Sequence, residues 1–178
     1  MKVKLLDLSG QYKKIRKEAL SAIKTVCDSQ RYILADNVAS LEAEIAAYCG
    51  VKYAVAVASG SDAILLALKS LGVGPGDKVI TTPYTFFSTA GSISLLGAEP
   101  VFVDIDPATY NISAALLEEL LKKKKSVKFK AVMPVHLYGQ CADMTSINKI
   151  ARRYGISVVE DAAQAIGAAH KGRKAGSM

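Results

Sequence analysis

The sequence predicts an α/β fold with three layers (α/β/α), in which helices cover both faces of a mostly parallel, mixed sheet. Two observations support this prediction. Helical and strand patterns alternate along most of the 178 residues. The strand patterns are continuous apolar runs, which are typical of parallel strands buried on both faces. The length fits one domain or one lobe of a larger protein.

Composition narrows the class of protein. Hydrophobic residues make up 51% of the chain and charged residues 22%, which is the balance of a globular protein. No apolar run reaches the roughly 18 residues of a membrane helix, and the first 20 residues do not resemble a secretory signal. We therefore expect a cytoplasmic protein with no membrane partner. The three cysteines, Cys27, Cys49 and Cys141, form no CxxC pair, and we expect free thiols without a metal or a disulfide.

The net charge of +7 does not by itself indicate a nucleic-acid partner. The basic cluster Lys122–Lys125 follows the letters ALLEELL, so it reads as the solvated end of a helix, where cations interact favourably with the helix dipole. No basic run is interleaved with aromatic residues. We expect no nucleic-acid binding.

Two helices come first in the predicted order of elements. Apolar residues recur at helical spacing over residues 12–27. A second apolar face follows, and its helix is expected to begin at a cap formed by Asp36 or Asn37 and to end at Gly50.

Strands and helices then alternate. Each strand candidate is an apolar run bounded by turn residues, and the five runs are 53–58, 78–82, 100–104, 130–135 and 156–160. Helical patterns lie between or beside them at 61–71, 86–96, 113–124 and 143–153. We expect Ser113 and Asp143 to cap the last two helices.

Ligands of such sheets bind at the carboxyl ends of the strands. The letters ASGSDA follow the first strand candidate and open a helix. Gly60 would let the backbone approach a ligand, and the amides of Ser61 and Asp62 would form an anion site suited to phosphate. The alternative is an ordinary turn capped by Ser61 or Asp62. The stretch is neither a Walker loop nor GxGxxG, which argues against a dinucleotide-binding oxidoreductase.

Two further stretches follow strand candidates. In TTPYTFFST, one of Tyr84, Phe86 and Phe87 could lie flat on a planar ligand, although any of them could instead belong to the core. In PVHLYGQ, His136 and Tyr138 follow another strand candidate, and His136 is a minor catalytic candidate. A lone histidine in an apolar setting is more often a core residue with satisfied hydrogen bonds.

The stretch VVEDAAQAIG ends the last strand candidate with two carboxylates. A carboxylate at Asp161 beside a pyridine nitrogen would favour the protonated ring, which is the electron sink of pyridoxal 5'-phosphate (PLP) chemistry. Gln164 lies one helical turn on and could donate to the ring hydroxyl, while Glu160 should point away. Alternatively, Asp161 caps a helix and Gln164 is solvated. A metal site is weakly supported, because no histidine ligands lie nearby.

Taken in order, these stretches resemble one family. The matching segments include LDLSGQYKKIRKEA, VASGSDAILLAL, GVGPGDKVITTPYTFFSTAGSI, GAEPVFVDIDPATYNI, PVHLYGQCADM and VVEDAAQAIGA. The sequence resembles the DegT/DnrJ/EryC1/StrS family of PLP-dependent nucleotide-sugar aminotransferases over almost its whole length. The resemblance implies the large domain of the aspartate-aminotransferase fold (fold type I), a homodimer with active sites at the subunit interface, and amino transfer from glutamate to a keto-sugar on a nucleotide diphosphate.

The resemblance also implies roles for individual residues. The amides of residues 60–62 would hold the cofactor phosphate, and Phe86 would stack on the pyridine ring. Asp161 would pair with the ring nitrogen, and Gln164 would contact the ring hydroxyl. Asp161 would thereby stabilise negative charge that develops on the cofactor.

The Schiff-base lysine of the family lies beyond the letters KGRKAGS, and Lys171 and Lys174 do not match its position. We therefore expect residues 1–178 to form an N-terminal segment and a partial, incomplete large domain that lacks the C-terminal small domain and does not turn over alone. Two alternatives remain: a PLP- or PMP-dependent sugar dehydratase with histidine in place of that lysine, and a non-catalytic truncated remnant. Many relatives carry histidine at the position of Ile166.

Overall fold

The computed structural model describes residues 6–178. Its helices, in chain order, are α1 (Ser9–Ser29), α2 (Asp36–Cys49), α3 (Gly60–Ser70), α4 (Phe87–Leu95), α5 (Ala114–Lys123) and α6 (Met144–Tyr154). Its strands are β1 (Lys78–Thr81), β2 (Glu99–Phe102), β3 (Ala131–Val132), β4 (Ser157–Val158), β5 (Ala169–His170) and β6 (Arg173–Lys174). A short 3-10 turn covers Leu137–Gly139.

Four strands form one sheet in the order β2-β1-β3-β4, and each of its described pairings is parallel. The two remaining strands, β5 and β6, pair antiparallel in a separate hairpin. The prediction of a parallel α/β sheet is confirmed. The register aligns Lys78 with Glu99 and Val79 with Ala131, so the strand ends meet at one edge.

Helices cover both faces of the sheet, as the three-layer prediction requires. Neighbouring strand residues point to opposite faces. Val79 packs with Leu68 of α3 in one buried cluster, whereas Ile80 packs with Leu117 of α5 in the other. Helices α3 and α4 therefore lie on one side of the sheet, and α5 and α6 on the other.

The runs 130–135 and 156–160 form shorter strands than predicted, but the two segments stay side by side beyond the ends of these strands. Pro134 carries no amide hydrogen, which interrupts the ladder. The pairing resumes as a parallel bridge between Val135 and Asp161, and the Asp161 amide donates to the Pro134 carbonyl at 2.9 Å. This contact places Asp161 at the carboxyl end of the sheet.

The run 53–58 is not a strand, which corrects the sequence prediction. Tyr53 and Val55 are 72% and 79% exposed, and no strand or bridge described within residues 6–178 includes this segment. The Ala56 amide donates instead to the Glu42 carboxylate at 2.8 Å. An apolar run becomes a strand only where a neighbouring backbone takes its hydrogen bonds, and no described segment does so here.

Two of the predicted helix caps are confirmed. The Ser113 hydroxyl accepts from the Leu116 amide at 3.3 Å, and the Asp143 carboxylate accepts from the Ser146 amide at 3.2 Å. Gly50 ends α2 with a φ of 70°, a left-handed conformation that glycine adopts without strain.

The predicted cap of α2 is wrong. Ala35 occupies the N-cap position, and no side chain caps the helix there. Asp36 is itself the first residue of the helix, and its carboxylate accepts from the Arg31 guanidinium at 2.9 Å.

The surface features agree with the composition. Lys122 and Lys123 at the end of α5 pair with Glu118 and Glu119 one turn earlier, so the basic cluster is a solvated helix end. All three cysteines are free thiols. None of the helices described within residues 6–178 combines the length and the apolar character that a membrane span requires.

Candidate active site

A cavity of about 210 Å³ opens where β1, β3 and β4 end and where α3 and α4 begin. Five of the six site residues predicted from the sequence line it: Gly60, Ser61, Phe86, Asp161 and Gln164. The sixth, Asp62, does not line it. Residues from four separate segments therefore meet at this edge of the sheet.

The first turn of α3 forms one wall. Ser59 is the N-cap, and its hydroxyl accepts from the Asp62 amide at 3.2 Å and donates to the Asp62 carboxylate at 2.9 Å. First-turn amides have no acceptor within their own helix. The amides of Gly60 and Ser61 at the cavity can therefore donate hydrogen bonds to an anion, whereas the Asp62 amide already donates to the Ser59 hydroxyl. Its role at the phosphate stays a prediction.

The first turn of α4 forms the opposite wall. The Ser88 hydroxyl lies 2.6 Å from the Ser61 hydroxyl, which joins the N-termini of the two helices. The next residue, Thr89, donates its hydroxyl to Asp161 Oδ2 at 2.9 Å. Two helix N-termini that face one cavity favour a negatively charged group there.

Asp161 is a buried carboxylate, 7% exposed, that lines this cavity. Burial of a charge is costly unless hydrogen bonds compensate. Oδ2 accepts from Thr89, and Oδ1 accepts from the Ala163 amide at 3.3 Å. A carboxylate has about four acceptor positions, so both oxygens keep capacity for a cationic partner in the cavity.

Gln164 is held in one orientation. Its Oε1 accepts from the Tyr138 amide at 2.9 Å, and Tyr138 adopts a φ of 55°, which is uncommon for a residue with a side chain. Because the carbonyl end of the side chain is taken, the amino end is the one left to donate to a ligand.

Phe86 is the only one of the three aromatic candidates that lines the cavity. It stands at the N-cap of α4 with 71% of its surface exposed. The Phe87 ring lies over Gly91, where an added Cβ would come within 2.9 Å of it. The Tyr84 hydroxyl lies 3.1 Å from that of Tyr138.

Glu160 and His136 form a buried pair outside the cavity lining. His136 Nε2 lies 2.8 Å from Glu160 Oε2, and His136 Nδ1 accepts from the Ala142 amide at 3.2 Å. His136 is fully buried, so the expectation of a core histidine with satisfied hydrogen bonds is confirmed. Burial opposes ionisation of Glu160, but hydrogen bonds from His136 and the Gly176 amide outweigh it and lower the pKa of this carboxyl.

Sequence reasoning missed several residues of the site, namely Thr85, Ser88, Thr89 and Ala163. A signal for two of them was present. Ser88 and Thr89 are hydroxyl residues at the second and third positions of a helix that follows a strand, where they can reach the strand-end edge of the sheet.

A model of the DegT/DnrJ/EryC1/StrS aminotransferase family matches residues 13–178. The chain belongs to the DegT/DnrJ/EryC1/StrS family.

Relatives of this DegT/DnrJ/EryC1/StrS chain are similar along its whole length. It is 53% identical over 178 residues to the pleiotropic regulatory protein of Geobacillus stearothermophilus, and the match covers 100% of this chain and 47% of that protein. It is 45% identical over 172 residues to the UDP-2-acetamido-2-deoxy-3-oxo-D-glucuronate aminotransferase of Pseudomonas aeruginosa, covering 97% of this chain and 47% of the enzyme. The chain thus spans about half the length of these relatives.

Solved structures share the fold. The structure of S. venezuelae DesV in complex with a ketimine intermediate matches with a TM-score of 0.91 and 42% identity, covering 99% of this chain and 46% of that chain. A GDP-4-keto-6-deoxymannose-3-dehydratase with a trapped PLP-glutamate geminal diamine matches with a TM-score of 0.79 and 32% identity, covering 88% of this chain and 42% of that chain. The fold of this chain is therefore that of PLP-dependent enzymes of the family.

Three positions singled out in the sequence lie away from the cavity. The Lys174 ammonium sits 3.2 Å from the centre of the Tyr48 ring, and Lys171 lies in the turn between β5 and β6. Ile166 is 72% exposed and does not line the cavity. Within residues 6–178, no group of three or more histidine, cysteine, aspartate or glutamate side chains could hold a metal ion.

Proposed function

We propose that the protein is a PLP-dependent aminotransferase that transfers the amino group of glutamate to a keto-sugar carried on a nucleotide diphosphate. One observation carries the proposal. A buried carboxylate, Asp161, shares a cavity with the first-turn amides of Gly60 and Ser61, and the consecutive residues Ser88 and Thr89 connect to both. An anion site and a counter-charge for a cation in one cavity match the phosphate and the pyridine nitrogen of PLP.

The residues of the cavity fit this cofactor. The amides of Gly60 and Ser61 and the hydroxyl of Ser88 would hold the phosphate. A Cβ added at Gly60 would lie 3.9 Å from Ala163, another residue of the lining, so glycine leaves this side of the cavity wider. Phe86 lies at the rim, where it could cover the face of the ring.

PLP, when bound, supplies an electron sink for bonds at the carbon attached to the amino group. The contribution of the protein would be to keep the ring of the cofactor protonated. The Asp161 carboxylate would hold the proton on the ring nitrogen, since an opposite charge within about 4–6 Å favours the protonated form. Thr89 and Ala163 orient this carboxylate, and the Gln164 amino group would donate to the ring hydroxyl.

The lysine that bonds the cofactor is proposed to lie downstream of Met178, in the remainder of a large domain followed by a small domain. Lys171 and Lys174 are not candidates, because neither lines the cavity. The similar dehydratase structure favours a second candidate function, a nucleotide-sugar dehydratase. Sequencing the gene beyond codon 178 separates the two, because lysine supports amino transfer and histidine supports dehydration.

The test of the main proposal is Asp161→Asn in the full-length protein. We expect turnover with glutamate to fall by about 100-fold or more, on the scale of a lost charge interaction with a reacting group, while the circular dichroism spectrum stays unchanged. Asp106→Asn is the matched control, because the Asp106 carboxylate accepts from the Ala108 amide at 2.8 Å in a turn away from the cavity, and an asparagine oxygen can replace it. Wild-type turnover in Asp161→Asn would disprove the role of Asp161.

We further propose a homodimer in the cytoplasm. Large apolar side chains are strongly exposed, among them Ile33 at 87% and Leu34 at 84%, and burial of such residues in an interface is favourable. Light scattering of the purified full-length protein should give twice the subunit mass, and cell fractionation should place the protein in the soluble fraction. A monomer mass across the working concentration range would contradict the dimer.

A further inference from the structure

A buried histidine and glutamate lie directly behind the strand end that carries Asp161. His136 is fully buried, and the side chain of Glu160 is 9% exposed. Because His136 Nδ1 accepts from the Ala142 amide, we assign the proton of the neutral ring to Nε2, which donates to Glu160 Oε2 at 2.8 Å. In the other tautomer the proton would lie on Nδ1, where it would face the N–H of Ala142, and two donors would oppose each other.

Glu160 receives two further donors from the segment 176–178. The Gly176 amide donates to Oε2 at 2.9 Å, and the Met178 amide donates to Oε1. The Met178 carbonyl is in turn held by the Asn148 side chain at 3.1 Å. Three donors thus converge on one carboxylate, and only an acceptor-only group can satisfy all of them.

The same pair is tied to the cavity through the backbone. Glu160 and Asp161 share a peptide bond, and the His136 amide donates to the Asp161 carbonyl at 2.9 Å. A shift of segment 176–178 would therefore pull on Glu160 and, through one peptide unit, on the carboxylate in the cavity.

We propose that Glu160, oriented by His136, is a positioning residue that keeps segment 176–178, and the residues that follow it, in register with Asp161. The inference rests on the proposed function, in which the residue that bonds the cofactor follows Met178. In this arrangement the Asp161 carboxylate faces the cofactor, and the neighbouring Glu160 carboxylate fixes the path of the chain toward the residue that bonds the cofactor.

The first test is Glu160→Gln in the full-length protein. The glutamine amino group must face one of the three donors, so at least one contact is lost. We expect kcat to fall by about tenfold, in line with the loss of a hydrogen bond to a charged group, and KM for glutamate to change by less than about twofold. In the cofactor-free protein, hydrogen exchange at the Asp161 amide should accelerate along with exchange at 176 and 178.

Two substitutions of His136 sharpen the test. In His136→Gln the side-chain amino group can still donate to Glu160, whereas in His136→Asn the side-chain oxygen can still accept from Ala142 but the shorter side chain does not carry its amino group as far as Glu160. We expect His136→Gln to retain kcat better than His136→Asn does. His170→Gln is the control, because His170 contacts Thr145 at 2.8 Å and does not line the cavity.

The outcomes separate this inference from the proposed function. Wild-type kcat and unchanged exchange at Asp161 in Glu160→Gln would overturn the positioning role even if Asp161→Asn is inactive. Loss of fold in Glu160→Gln leaves the decision to the two His136 variants, and equal kcat values in these two would also overturn it. If Asp161→Asn stays active, the proposed function fails, while exchange at the Asp161 amide still reports on the coupling.

Discussion

Asp161 and Glu160 are adjacent carboxylates with separate tasks, and the extended backbone between them is the reason. Successive side chains of an extended segment point to opposite sides. Asp161 faces the cavity and accepts from Thr89 and Ala163, whereas Glu160 points away from it and accepts from His136 and from segment 176–178. The two acids therefore do not act as an acid–base pair.

The hydrogen bond from the Thr89 hydroxyl to Asp161 should contribute both to stability and to turnover. Thr89→Val keeps the shape of the side chain but removes the donor to a buried carboxylate. We expect a loss of about 1–3 kcal/mol in the free energy of unfolding and a fall in turnover of about tenfold. Urea unfolding and steady-state kinetics measure both.

Thr81→Val is the matched control for this substitution. Thr81 is also fully buried, but its hydroxyl donates to the Met133 carbonyl at 2.8 Å and does not contact Asp161. It should lose stability while keeping its turnover. An equal fall in turnover in both variants would mean that the Thr89 effect is only structural.

Glu160 should make the free energy of unfolding depend on pH in the acidic range. Its pKa is lowered from the ordinary value of 4.5, because the three hydrogen bonds outweigh burial. A carboxyl with a lowered pKa stabilises the fold fully above its unfolded value and loses this contribution as the pH falls through the folded value. The difference in unfolding free energy between wild type and Glu160→Gln should be largest near pH 7 and shrink below pH 4.5. Urea titrations at several pH values check this, and a difference independent of pH would contradict it.

At the scale of elements, the N-terminus of α3 should link local stability to ligand binding. Ser59→Ala removes the cap and frees the Asp62 amide, so we expect a loss of about 0.5–2 kcal/mol and weaker phosphate binding by the disordered first turn. Ser113→Ala removes the equivalent cap of α5, which does not line the cavity. It should cost similar stability but leave PLP affinity unchanged, as measured by fluorescence titration.

The same elements show what the sequence can and cannot predict. Caps at Ser113 and Asp143 followed from local hydrogen bonding, which depends on residues three positions apart. The predicted cap at Asp36 was one position too late, because Ala35 is the N-cap of α2, and the strand at 53–58 failed because a strand depends on a neighbouring strand elsewhere in the chain. Thr89 was missed for the same reason, since its partner Asp161 is 72 positions away.

At the scale of the whole molecule, the sheet separates the two hydrophobic cores described within residues 6–178, and one of them supports the candidate site. The core that contains Leu68 and Ile93 anchors α3 and α4, whose first turns form the cavity. The core that contains Leu117 and Ile147 anchors α5 and α6 on the other face, and no residue of these two helices lines the cavity.

This separation predicts that two equally buried leucines differ in their effect on the cofactor. Leu68 and Leu117 are both fully buried, so Leu68→Ala and Leu117→Ala should each cost about 2–5 kcal/mol of stability in the full-length protein. Only Leu68→Ala leaves a void beneath α3, and the shifted helix should weaken PLP binding several-fold. Titrations at a temperature where both variants remain folded measure this. Equal losses of affinity would show that the sheet transmits packing defects between its faces, and that the site depends on the whole molecule rather than on one layer.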